Sequence, residues 1–375
     1  MKAIGIILAG GNNNRMKELT AKRAVPALPV AGSFRSIDFA LSSMSNSHIQ
    51  TVAVLTQYNA RSLNEHLSSS KWWNFGRKQG GLFLFTPTVT ADNSDWYRGT
   101  ADAMYQNIDF LKRRHEPYVI ISSGDCVYKL DFNRVLDFHI EKKSDITVVC
   151  KDMMYNDDVS RFGVVRMDDE SRITEFDEKP IEALSNTIST GIYVIRRRQL
   201  IELLEAAAEE NRFDFVNDIL VRYKNVKKIY GYKINSYWNN IADIDAYFKT
   251  NMDFLRPDVR SYFFREEPTI CSKVDDLPPA KFNPGSDISN SLVSSGCIIN
   301  GSVEDSVLFK QVFVGKNTTV KNCVILNDVY IGDNVHLENC IVESRGTINP
   351  NTCYCGEDGV CLLYTSPSPR DVEES

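Results

Sequence analysis

Glycines, cations and carboxylates recur beside short apolar runs in this sequence, in settings where they could contact an anion. LAGGNNNRM, Leu8 to Met16, follows the apolar run AIGII. Gly10 and Gly11 would let the backbone approach a phosphate and turn N–H groups toward it, with Arg15, Lys22 and Arg23 supplying positive charge. A glycine pair serves a plain strand-to-helix turn equally well. SSGDCVY places Asp125 just after the apolar run YVIIS, where a carboxylate can hold Mg2+ over a polyphosphate or simply bond its own loop. In WYRGTADAMYQN, Thr100 can cap the following helix and leave Arg98 at its positive end, a seat for an anion or merely a capped surface helix. EFDEKP offers Glu178 and Lys179; the lysine can neutralise a sugar phosphate or form a solvated pair. DFVND, Asp214 to Asp218, can cap a helix or bond sugar hydroxyls, and Asp243 in YWNNIADIDAY reads as an N-cap.

Such groups need a shared rim to act together. Apolar runs at 3–9, 51–56, 118–123 and 145–150 alternate with helical patterns at about 36–46, 60–68, 100–114 and 132–141. That order predicts an α/β domain over 1–254 with a doubly wound, mainly parallel sheet. Sheets of this kind bind ligands beyond the carboxyl ends of their strands, which puts LAGG and SGDCVY on one rim.

The text then changes. Residues 255–286 are proline-rich and read as a linker. Short units follow: ISNSLV, VEDSVL, VKNCVI and LENCIV from Ile288, Val303, Val320 and Leu337, interleaved with CIINGS, VGKNTT, IGDNVH and INPNTC, whose starts lie 17 residues apart. An aliphatic opens each unit and small or polar residues fill the corner, the pattern of a hexapeptide solenoid, here a C-terminal left-handed parallel β-helix over 287–352. CLLYTSPSPRDVEES leaves that period, so 353–375 reads as a non-native or disordered tail, a translated cloning or adapter scar.

Composition sets outer bounds. The 375 residues carry a net charge of −6, which argues against a global cationic surface for nucleic acid or anionic membrane. No run of 18 apolar residues is present to span a membrane, and MKAIGIILAGG reads as a first strand, so a cytoplasmic protein is expected. Of nine cysteines, Cys126, Cys150, Cys297, Cys323 and Cys340 sit among apolar residues and read as buried reduced thiols. Cys353 and Cys355 form C-x-C with no histidine pair nearby in sequence, which argues against a metal site there.

In order, LAGG…R…LT.KRA.P, FRSIDFALS, TQY, WYRGTADA, GD..Y, FGV, EKP, STGIYV, DF..D and YW..I resemble the glucose-1-phosphate adenylyltransferase (ADP-glucose pyrophosphorylase) family over roughly residues 1–350. WYRGTADA and FRSIDFALS are the specific pieces. The resemblance implies a nucleotide-diphospho-sugar transferase-like domain joined to a β-helix, acting as a tetramer that moves AMP from ATP to glucose 1-phosphate in bacterial glycogen biosynthesis, with Mg2+ as cofactor. It implies that Leu8, Ala9, Gly10, Gly11, Arg15, Gln57, Gly99, Thr100 and Asp125 face nucleotide, with Asp125 on the metal. Tyr97, Gly163, Glu178, Lys179, Ser189, Tyr193 and Asp214 would line the sugar-phosphate site, and Lys22 and Arg23 would meet effector anions. Arg15, Asp125 and Lys179 would carry the catalytic roles.

The departures fall in that machinery. Catalytic members have glycine where this chain has Asn13 and lysine where it has Val25. They read W-R-D-V-G-T where it reads WNNIAD, so Asn239 replaces an arginine and Asn240 replaces the second metal-binding aspartate. One remaining carboxylate should hold a hard cation weakly or not at all, and the lost lysine and arginine remove charge that would stabilise the developing negative phosphate. The pattern resembles the GlgD-type regulatory subunit, an impaired chain working with a catalytic GlgC-type partner in a hetero- or homotetramer that binds ATP or ADP-glucose, glucose 1-phosphate and sugar-phosphate effectors. The alternative is a self-sufficient adenylyltransferase. An acyltransferase on the β-helix would need a catalytic histidine, and His336, the repeats' one histidine, reads as a rung corner. A scaffold without ligand is the remaining class.

Overall fold

The computed structural model describes residues 2–11, 14–76, 80–88, 96–154, 157–356 and 359–364; Asn13 and the tail from 365 onward lie outside the described residues. The chain divides into two compact units, Met1–Asn12 with Phe39–Trp238, and Asn13–Asp38 with Asn239–Ser375. Residues 13–38 thus group with the C-terminal unit. Residues 13–38 are held to the 244–253 helix: Tyr247 Oη donates to the Pro29 carbonyl at 2.6 Å, and the Ala31 N–H donates to Asn251 Oδ1 at 3.0 Å.

The first unit is built on a nine-stranded sheet. Its strands are β1 (Ala3–Ala9), β2 (Thr51–Thr56), β3 (Gly81–Phe85), β4 (Tyr118–Ser123), β5 (Ile146–Asp152), β6 (Gly163–Met167), β7 (Ile173–Glu178), β8 (Thr187–Arg196) and β9 (Ile229–Lys233). The order β7-β6-β8-β4-β1-β2-β3 has β5 beside β8 and β9 beside β5. β1, β2, β3 and β4 run parallel, as do β5 and β9, whereas β8 is antiparallel to β4, β5 and β6. β1 and β2 are buried almost throughout, as strands covered on both faces require. The helices α1 (Ser36–Asn46), α2 (Arg61–Leu67) and α5 (Phe132–Glu141) fall where the sequence pattern puts them. The expected helix at 100–114 is broken into α3 (Thr100–Gln106) and α4 (Ile108–Lys112), because the Asn107 amide donates to the Ala103 carbonyl and competes with the helix ladder.

In the second unit the supposed linker contains a helix, Pro257–Phe264, and already supplies a solenoid strand, Lys281–Phe282. The solenoid has three parallel walls of five strands each and ends with Cys353–Cys355 and Cys361–Leu363, so it extends past 287–352 at both ends. Val303, Val320 and Leu337 stack in register and are buried, which is why an aliphatic opens each unit. The polar corners take left-handed backbone, with φ of 48 and 54° at Asn322 and Asn339 and 55, 57 and 60° at Asn317, Asn334 and Asn351. Asparagine tolerates that conformation and its side chains ladder between rungs, as at Asn334 Nδ2 to Asn351 Oδ1, 3.0 Å. His336 lies within the strand His336–Glu338 rather than at a corner. Among the described residues no helix is long and apolar enough to cross a membrane.

Candidate active site

In the first unit, Leu8–Gly11, Gln57 and Asp125 follow the carboxyl ends of three adjacent parallel strands, β1, β2 and β4. The Gly124 N–H donates to the Leu8 carbonyl at 3.0 Å, fastening the SGD loop to the end of β1. A Cβ on Gly10 would lie only 3.4 Å from Gln57 Cβ. The Asp125 carboxylate accepts the Ser123 hydroxyl at 2.5 Å and faces the Cys126 thiol at 3.4 Å, both through Oδ1.

Gln57 carries this rim to the WYRGT segment. Its Oε1 accepts the Tyr97 N–H at 2.6 Å and its Nε2 donates to the Tyr97 carbonyl at 3.4 Å. Thr100 does not cap α3. Gly99 is the N-cap, and the Phe213 carbonyl accepts the N–H groups of Ala101 at 2.8 Å and Asp102 at 3.2 Å. Thr100 Oγ1 instead accepts the Phe215 N–H at 2.9 Å. The anion seat expected beside Arg98 is thus filled from within. Buried Asp102 accepts the Arg98 N–H at 2.8 Å and meets its guanidinium at 3.4 Å, while the guanidinium lies 3.8 Å from the Phe213 ring centroid.

These contacts bring the loop before Asp214 to the start of α3. The Asp214 carboxylate accepts the Asn217 N–H at 2.7 Å, the cap expected of DFVND. Tyr193, on β8, packs its ring 5.3 Å from that of Phe215, and Ser189 Oγ donates to its hydroxyl at 3.3 Å. Between them β8 is bulged at Gly191, φ 73°, a conformation open to glycine and strained for other residues. Gly163 sits opposite Glu178 in the β6–β7 pair, and a Cβ there would come 2.9 Å from Glu178 Oε2. Lys179 Nζ lies 3.6 Å from Glu178 Oε1 and stays largely exposed.

Burial raises the Glu178 carboxyl above its ordinary value; Lys179 opposes the rise and Asp214 adds to it. Burial also pushes the Tyr193 hydroxyl far up, against the Ser189 hydrogen bond, with Glu178 and Asp214 adding to it. Asp214 thus acts on Glu178, and both act on Tyr193. Two carboxylates, a phenol and an exposed lysine suit a sugar hydroxyl array beside a phosphate. Sequence reading missed Asn107, whose amide donates to Tyr97 Oη at 2.9 Å, and the Phe213 carbonyl, which as a backbone group leaves no mark in residue type.

The remaining positions belong to the second unit. Arg15 lies exposed in the short helical segment Asn14–Thr20, and Lys22 is exposed. Arg23 is ion-paired with Glu343 and donates to Ser344 Oγ at 3.4 Å. Val25 is buried, 5% exposed, at the start of the turn Val25–Ala27. Asn239 Nδ2 donates to Asp253 Oδ2 at 3.2 Å, and Asn240 Oδ1 accepts the Ala242 N–H at 2.9 Å. Asp243 caps the next helix, accepting the Ala246 N–H at 2.8 Å.

Residues 4–256 match the nucleotidyl transferase family model, and residues 278–360 match the GlmU-like C-terminal hexapeptide model. The fold and the rim site accordingly define a nucleotidyl transferase followed by a hexapeptide solenoid. The chain is 38% identical over 320 residues to glucose-1-phosphate adenylyltransferase of Clostridium novyi, with 84% of each chain covered. It is 39% identical over 322 residues to that of Pseudothermotoga lettingae, covering 85% of this chain and 76% of the relative, and 36% over 322 residues to that of Bacillus subtilis, covering 85% and 84%. It belongs to the glucose-1-phosphate adenylyltransferase family.

Proposed function

We propose that this chain is the regulatory, GlgD-type subunit of a glucose-1-phosphate adenylyltransferase, impaired in catalysis on its own, which binds sugar phosphate or nucleotide and tunes a catalytic GlgC-type partner in a glycogen-forming tetramer. In the family reaction a phosphate oxygen of glucose 1-phosphate attacks the α-phosphorus of ATP, pyrophosphate leaves in line, and ADP-glucose forms. Such catalysis is mainly positioning and electrostatic stabilisation. Here Glu178, Asp214 and Tyr193 would orient the sugar, Lys179 would meet its phosphate, and Gly10 and Gly11 would admit the nucleotide's phosphates.

Asn240 carries the reading. Where catalytic members offer magnesium a second carboxylate, this chain offers an amide whose oxygen already accepts the Ala242 N–H. The other assigned ligand, Asp125, has one carboxylate oxygen engaged by Ser123. A hard dication favours anionic oxygens, so an amide at Asn240 is a poor substitute for a carboxylate ligand. Val25 and Asn239 add no charge where lysine and arginine are expected. Mg2+ should therefore bind the isolated chain weakly.

The test is ADP-glucose formation by this chain alone, by a catalytic family member alone, and by their mixture at matched total protein. Little turnover alone, together with a changed rate or effector response in the mixture, is the expected result. Brisk synthesis by the isolated chain overturns the proposal. The intact Glu178–Tyr193–Asp214 group favours a second reading, a self-sufficient enzyme, under which Asn240→Asp should add little.

A further inference from the structure

The outer face of the solenoid gathers residues that sequence spacing keeps apart. His336 pairs in register with Cys353, and Glu338 with Cys355, on neighbouring parallel strands. Leu337 between them is buried, so strand alternation sends residues 336, 338, 353 and 355 to the outside. Ligating atoms of His336, Glu338 and Cys355 all lie within 4.8 Å of one another. His336 Nε2 is 3.6 Å from Glu338 Oε2, and the sulfurs of Cys353 and Cys355 are 3.8 Å apart. Two thiolates bound tetrahedrally at about 2.3 Å from zinc are themselves about 3.8 Å apart. The C-x-C pair that lacks a histidine nearby in sequence has one across the rung.

We propose that His336, Glu338 and Cys355, with Cys353 beside Cys355 turning in as the fourth donor, form a Zn2+ site that clips together the rungs at 336–338 and 353–355. Two thiolates, an imidazole and a carboxylate are a zinc donor set, and the sulfurs disfavour Mg2+ and Ca2+. The neighbouring rung does not compete: Lys321, in register with Glu338, already meets Glu304 at 3.6 Å. The site uses none of the residues assigned to adenylyl transfer, so it stands or falls apart from the regulatory reading.

The test is titration of the reduced, chelator-stripped full chain with Co2+, followed by Zn2+ displacement. One equivalent of cobalt should give a thiolate charge-transfer band and visible bands of tetrahedral intensity, both removed by one equivalent of zinc. Cys355→Ser and His336→Asn should each weaken cobalt binding about 100-fold, as loss of a ligand or its support does. Cys271→Ser, an exposed thiol elsewhere, should change nothing. Circular dichroism checks that the variants fold, and Cys353→Ser gives an independent reading. A missing charge-transfer band, its survival in both Cys355→Ser and His336→Asn, or a Cys353–Cys355 disulfide that persists under reduction would each overturn the site.

Discussion

Among single residues, Asn240 has its side-chain oxygen already committed to the Ala242 N–H. Asn240→Asp should tighten Mg2+ binding by calorimetry and raise ADP-glucose formation; an unchanged metal isotherm would refute the account of the lost seat. The sequence was most legible where a side chain acts through its own loop: Asp243 and Asp214 cap as their neighbours imply, and Asp125 follows its strand. It was least legible at Thr100, whose helix is capped by the Phe213 carbonyl, a partner set by tertiary packing. Val25→Lys should not simply restore function. The side chain is 5% exposed, so an unpaired ammonium there should cost about 1–3 kcal/mol, read as a lower urea midpoint. Glu178 gives a pH test. Its carboxyl is held above the ordinary value of 4.5 chiefly by burial. A raised folded-state value favours the protonated form, so the stabilising contribution is complete below about pH 4.5 and lost as pH rises through the folded value. Glu178→Gln should accordingly melt higher than the parent at pH 7, with the gain vanishing toward pH 4, while sugar-phosphate binding is lost.

At the scale of elements, periodicity placed the four apolar runs and most helices because β1, β2, β4 and β5 are buried strands with clear turn signals. It did not place the break at Asn107, where one side chain outcompetes the helix, nor the bulge of β8, which is a register shift between Ser189 and Tyr193 in its own pairing with β5. The junction of α3 with the 213–215 loop is the element-level feature on which the site rests. A Cβ at Gly99 would stand 2.3 Å from the Phe213 carbonyl oxygen, a backbone atom that cannot rotate away. Gly99→Ala should therefore cost about 1–3 kcal/mol by forcing the two segments apart. Because Arg98, Asp102 and Asp214 are fixed by the same junction, ligand binding should fall with it. Denaturant unfolding and calorimetry with glucose 1-phosphate check both effects; a loss of stability with unchanged affinity would show that the junction does not position the site.

At the scale of the whole molecule, the solenoid was readable because one short pattern recurs at a fixed period and each repeat reinforces the others. The grouping of residues 13–38 with the C-terminal unit was not, since the bonds that hold it, such as Tyr247 to Pro29, Asn251 to Ala31 and Arg23 to Ser344, join residues more than two hundred positions apart in sequence. The same register that buries Ile299, Val314 and Ile331 turns Ile298, Phe313 and Tyr330 outward as a column. Ile298 is 38% and Tyr330 46% exposed, and the Phe313 and Tyr330 rings stack at 4.9 Å. Contiguous exposed apolar surface marks a place of association, which suits a chain proposed to act through a partner. Phe313→Glu with Tyr330→Glu would set two carboxylates on that column without touching the buried stack. Sedimentation should then show smaller assemblies, alone and with a catalytic family member, and the effect on the partner's rate should disappear while glucose 1-phosphate binding by the isolated chain persists. Unaltered assembly would place the subunit contact on another wall of the solenoid or outside it.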